Sequence, residues 1–117
     1  MRHLKAYRKL SRSSAPRRAL LRSLATNFFL TSRIETTEEK AKEAQKVIES
    51  LITKAKKDDL ASKREVFSFL LQKEAGKRLY STILPKVADK SGGYTRIVKT
   101  GKRRGDGASL SILELAE

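Results

Sequence analysis

Apolar residues recur along this 117-residue chain at helical spacing over its first three quarters and at strand-like spacing near its end. Residues 1–12 show no usable apolar period and read as an extended arm. Ser13 and Ser14 then offer N-cap hydroxyls, and Pro16 suits a first helical turn, where a missing N–H costs nothing. Leu20, Leu21, Leu24, Ala25 and Phe28 follow at helical spacing and predict a first helix ending near Leu30, ahead of the weak formers Thr31 and Ser32. Residues 33–36 read as a short strand. Thr36 and Glu39 stand three apart, as a capping box requires, and open a second helix. Its apolar face is Ala41, Ala44, Ile48, Leu51, Ile52 and Ala55. Acids in its first turn and Lys54, Lys56 and Lys57 at its end suit the helix dipole.

Asp58 and Asp59 are expected to stop that helix and cap a third, with Leu60, Val66, Phe67, Leu70 and Leu71 as its buried side. Phe69 falls off this stripe and is left to contact a partner. Gly76 weakens the next stretch, yet Ala75, Leu79 and Ile83 keep a helical period until Pro85 blocks continuation. Beyond it, Gly92-Gly93 signals a turn, and residues 94–99 are rich in β-formers. A basic, glycine-bearing loop spans 101–107, and Leu110, Ile112, Leu113 and Leu115 mark a terminal strand. Two strands on so long a loop make a wide hairpin, to which residues 33–36 add a third strand. Helices first and strands last predict an α+β fold: several helices packed on a small three-stranded mixed sheet, with an extended basic N-terminal arm. Residues 1–12 form the arm and 13–117 a single domain.

Charge changes this picture. The net charge is +14, and the first 34 residues carry nine Lys or Arg with no Asp or Glu. Charge of one sign at that density repels itself and gains little by compacting unless a polyanion neutralises it. Residues 35–60 hold seven acids and six bases, the mixed composition of a solvated folded body. A phosphate backbone is the natural partner, because each neutralised phosphate releases counterions and makes affinity steeply salt-dependent.

The candidate contacts follow from this. Arg2, His3, Lys5, Arg8, Lys9 and Arg12 lie in the arm, and Arg17, Arg18 and Arg22 lie mainly off the apolar stripe of the first helix. Arginine forks can bridge phosphates bidentately. A second patch comprises Lys102, Arg103 and Arg104, whose flanking glycines let the backbone approach a phosphate closely. Arg96 and Lys99 lengthen it, and Tyr94 suits packing and base stacking equally.

Catalytic patterns are missing from the sequence. There is no Cys, the single His lies in the arm, and no Walker loop or dinucleotide fingerprint occurs. Neither a cofactor, a metal nor a small-molecule substrate is expected. Glu38, Glu39 and Glu43 occupy first helical turns, where they compensate the dipole. Phe28, Phe29, Phe67 and Phe69 read as core or near-core aromatics. No apolar run approaches the roughly 18 residues that cross a bilayer, so no membrane partner is expected. The Arg- and Ser-rich start also fits an organellar transit peptide, but its removal would delete apolar residues between Leu20 and Phe29 that belong with the core.

With these residues in place, the chain resembles the bacterial large-subunit ribosomal protein seventeen family. The motifs that carry the resemblance run in order along nearly the whole chain: Met1-Arg2-His3 and the basic arm, Arg33-Ile34-Glu35-Thr36-Thr37, Lys40-Ala41-Lys42-Glu43, Leu51-Ile52-Thr53, and Ala55-Lys56. Gly92-Gly93-Tyr94-Thr95-Arg96-Ile97, Arg104-Gly105-Asp106 and Leu113-Glu114-Leu115 complete it. The chain departs from the family pattern at Ala15-Pro16-Arg17, at Thr31-Ser32 and along residues 62–68. The resemblance implies a non-enzymatic structural constituent of the bacterial, cytoplasmic large subunit, bound to its rRNA near the polypeptide exit region. It also implies neighbouring ribosomal proteins as partners, including the small ribosomal protein thirty-two.

Two other classes compete. A DNA-binding or nucleoid-associated protein would use the second and third predicted helices as a helix-turn-helix, which needs basic or amide residues at the start of the recognition helix. Those helices open instead on Glu38 and Glu39 and on aspartates. An RNA-modifying enzyme would need a cofactor pocket or a reactive residue that the sequence does not offer.

Overall fold

The structure, a computed structural model, describes residues 14–116. Expectations for the arm, and for Ser13 as a cap, lie outside those residues. In chain order the elements are α1 (Ser14–Thr31), β1 (Arg33–Thr37), α2 (Glu38–Lys56), α3 (Leu60–Phe69) and α4 (Lys73–Arg78). A π-helical segment (Leu79–Ile83) joins α4 to α5 (Leu84–Val87), and β2 (Thr95–Lys102) and β3 (Ser109–Leu115) follow.

Helix ends are set by local geometry. Ser32 takes a left-handed φ of 66° and donates its N–H to Phe28 O at 2.6 Å, which terminates α1. Asp58, at φ 53°, ends α2 in the same backbone region. Asp59 caps α3 as expected, its carboxylate accepting from Ser62 N at 2.7 Å. The capping box at α2 does not form. Thr36 lies inside β1, paired with Ser111, and the N-cap is Thr37 with no side-chain cap bond.

The sheet order is β1-β3-β2 and every pairing is antiparallel. The mixed sheet expected from the sequence is therefore not formed. Since both outer strands run opposite to β3, they run parallel to each other, but β3 inserts between them and no parallel pair is hydrogen-bonded. One face of the sheet is covered by α2, whose residues Ala41, Ala44, Ile48, Leu51, Ile52 and Ala55 are all buried as the pattern predicts. Phe28 and Phe29 of α1, Leu79 and Ile83, Val87, Tyr94 and Leu113 complete one core. A link between α2 and β2 fixes the hairpin: Glu49 accepts from both the N–H and the hydroxyl of Thr95, at 3.1 and 2.7 Å.

Two expectations about the helices fail. The buried stripe of α3 is Ser62, Val66 and Leu70 with half-buried Phe69: Val66 and Leu70 are buried as expected, but the stripe as a whole sits about one residue around from the expected one. Leu60 and Leu71 are consequently exposed, and Phe67 stands at 36% exposure. The rotation is held by Thr26, whose hydroxyl accepts from Leu71 N at 3.0 Å, and by Arg22, which binds Phe69 O at 2.7 Å. Phe69 thus packs against the core. Pro85 does not stop the helix either. The Leu84 N–H bonds to Leu79 O, five residues back, and this widened turn relieves the clash that a proline ring makes with the carbonyl four residues earlier.

Candidate nucleic-acid interface

The tip of the β2–β3 hairpin holds one of the expected contact regions. Strand β2 carries an irregularity between Lys99 and Gly101, and Gly101 takes a φ of 140° that favours glycine. The loop closes through Arg103 N to Ala108 O at 2.7 Å and Gly107 N to Arg103 O at 3.0 Å. It is therefore a tight six-residue turn, where the sequence suggested a wide one.

Within it Arg103 grips Asp106 bidentately, at 3.2 and 2.5 Å. Asp106 also accepts from Ala108 N, and these bonds, with the guanidinium foremost, pull its carboxyl down to about 2. Arg103 accordingly holds the turn together. Lys102 and Arg104 are exposed beside it and make no ion pair among the described residues. Farther along β2, Lys99 meets Glu38 at 3.6 Å and Arg96 meets Glu114 at 3.1 Å. Each joins an exposed cation to a part-exposed carboxylate at the surface, and such surface pairs contribute about 0–1 kcal/mol and are readily exchanged for a phosphate. Lys42 foremost, with Lys99, holds the Glu38 carboxyl below its ordinary range.

The remaining expected residues scatter. Arg18 is exposed and Arg17 partly so in the first turns of α1, whose main neighbours are α4, α2 and β1 rather than the hairpin. Arg22 is half-buried. Its guanidinium donates to Phe69 O at 2.7 Å and Ser68 O at 3.1 Å, and lies 5.8 Å from the Phe69 ring centre. Those are the last carbonyls of α3, which have no intrahelical donor. Tyr94 is 3% exposed, with the Lys56 ammonium 5.0 Å from its ring centre, so it packs and offers no face to a base. The arm residues Arg2, His3, Lys5, Arg8, Lys9 and Arg12 lie outside the described residues.

Other cations also serve helix ends. Arg78 donates to Phe29 O at 3.0 Å near the end of α1, and Lys56 donates to Val87 O at the end of α5 and to Lys90 O just beyond it. These partners lie 49, 31 and 34 residues away in sequence, so no local signal could have revealed them. The sequence reading also missed a groove of about 270 Å³ at the sheet end, where Arg33 and Lys86 join Arg96 around Glu114. Arg33 and Arg96 flank Glu114 because both are registered opposite it on β3.

Among the described residues no group of His, Cys, Asp and Glu could hold a metal, and no helix is long and apolar enough to cross a membrane. The fold and its placement of charge define a small, strongly basic α+β protein with exposed cations on the hairpin tip and at the start of α1, and others spread over α2, α3 and α4. A family model described as ribosomal protein L17 matches residues 20–116. The large ribosomal subunit protein bL17 of an Exiguobacterium species is 50% identical over 115 residues, covering 94% of this chain and 98% of that protein. Its counterpart in Clostridium botulinum is 50% identical over 109 residues, covering 93% and 96%. The chain belongs to the ribosomal protein L17 family.

Proposed function

We propose that the protein is a structural constituent of the bacterial large ribosomal subunit that binds large-subunit rRNA through its basic surface, near the polypeptide exit region. The observation that carries this reading is the membership of a ribosomal family combined with a hairpin that leaves Lys102 and Arg104 exposed on a braced turn. Rigid presentation lowers the ordering cost of binding, and the charges screen phosphates so that rRNA segments can approach one another. Residues 1–12 add a basic arm that orders on RNA, while residues 13–117 form the folded domain. Arginines in such an arm position the chain and do not read sequence. Neighbouring ribosomal proteins, including the small ribosomal protein thirty-two, are its protein partners, and it performs no catalysis. Its place is then the cytoplasmic ribosome.

Sucrose-gradient sedimentation of a lysate, before and after a high-salt wash, tests this. Co-migration with the large subunit in both gradients is expected. A predominantly free pool, or partition with the nucleoid, would overturn it in favour of a DNA-binding role.

A further inference from the structure

Phe67 and Tyr80 form an aromatic pair outside every surface described so far. Their rings are parallel to within 1°, with centres 5.9 Å apart, an offset stack. Gly76 makes this possible: a Cβ there would lie 2.4 Å from Phe67 Cε1, so only glycine lets the ring lie on the backbone of α4. Phe67 nevertheless keeps 36% of its surface in solvent. Beside it runs a groove of about 460 Å³ lined by Lys63, Phe67, Lys77, Tyr80 and Ser81.

The groove joins two kinds of group. Its aromatic rings offer π faces, and its lysines offer cations, with Lys63 5.7 Å from the Tyr80 ring centre. The lysines are held only by exposed pairs, Lys63 with Asp58 at 3.5 Å and Lys77 with Glu74 at 3.6 Å. Such pairs yield cheaply to a stronger anion. A nucleotide matches each part, its base stacking on a ring and its phosphates meeting ammonium groups. An apolar peptide segment would match the rings and leave the lysines unserved.

We propose that this groove seats one unpaired base of the RNA, stacked on Phe67, with the adjoining phosphates on Lys63 and Lys77. The inference rests on the rRNA-binding reading above and adds a stacking site on α3 and α4, separate from the hairpin.

Ultraviolet crosslinking of intact large subunits, followed by mass spectrometry, reads the contact without any variant. A nucleotide adduct on the peptide bearing Phe67 or Tyr80 is expected. Adducts confined to the arm or the hairpin would overturn the groove while leaving rRNA binding in place, and a protein crosslink at Phe67 would make the groove a protein seat instead. In binding titrations of the full chain with large-subunit rRNA, Phe67→Leu should weaken affinity roughly 5- to 150-fold without changing its salt dependence. Phe67→Tyr, which keeps the ring, should restore it. The pair Lys63→Gln and Lys77→Gln should flatten the slope of log K against log salt by about 1.4. Wild-type binding matched by an unaffected Phe67→Leu variant sinks this inference alone; no binding by the wild-type chain sinks the rRNA reading itself.

Discussion

Replacing Arg22 by Ala separates two roles for an arginine that charge alone assigns to RNA. In the structure its guanidinium closes the C-terminal end of α3, donating to Phe69 O in a half-buried setting and to Ser68 O in an exposed one. A hydrogen bond from a charged donor to a partly buried carbonyl contributes about 1.5–3 kcal/mol. The exposed bond adds little, and the contact with the Phe69 ring adds about 0.5 kcal/mol at such a site. Truncation should therefore cost about 2–3 kcal/mol. A domain near this size loses roughly 4 °C of Tm per kcal/mol, so the melt should fall by about 8–12 °C. Thermal unfolding followed by circular dichroism measures this directly. A parallel titration with large-subunit rRNA should show an unchanged salt slope. An unchanged melt together with a slope reduced by about 0.9 would refute the reasoning and return Arg22 to the RNA surface.

The hairpin offers a matching contrast: Lys102→Ala with Arg104→Ala should lower the salt slope of rRNA binding by about 1.4–1.8 and leave the melt unchanged, whereas Arg103→Ala should broaden the Ala108 amide resonance by opening the turn. An unaltered slope in the double variant would remove the hairpin from the interface. Asp106 has its carboxyl depressed to about 2, and Asp59 is depressed mainly by its bond from Ser62 N. Because both folded values lie below the ordinary carboxylate values, their contribution is complete above about pH 4 and is lost as pH falls through the folded values. Acid titration by NMR should therefore show the Ala108 amide responding to Asp106 near pH 2 and the Ser62 amide responding below the ordinary aspartate range, and midpoints at the ordinary carboxylate value would contradict the assignment. Gly76→Ala should displace the Phe67 ring despite the better helix propensity of alanine, removing the ring-current shifts it imposes on Tyr80. An unshifted Tyr80 spectrum would show that no close approach occurs.

The α2 face was legible because burial on a nineteen-residue helix repeats at its own period, and all six predicted positions are buried. The Asp59 cap was legible for the same reason, since its partner Ser62 lies three residues away. On the shorter α3 the stripe was misplaced by about one residue, because contacts from Arg22 and Thr26 on α1 set its rotation. Thr36 looked like a cap until β3 claimed its backbone for the sheet.

By itself the sequence determined the order of helices and strands, the core face of α2, the excess of cations and the resemblance to a ribosomal family. These depend on spacing, composition and motif, which are properties of neighbouring residues. Only the tertiary structure decided what individual charges do. Arg22, Arg78 and Lys56 serve helix-end carbonyls, Arg103 is committed to Asp106, and Lys102 and Arg104 stay exposed. The physical reason is that net charge is a sum over the chain, whereas the job of each cation is set by the carbonyl or carboxylate that folding brings within 3 Å or so of it.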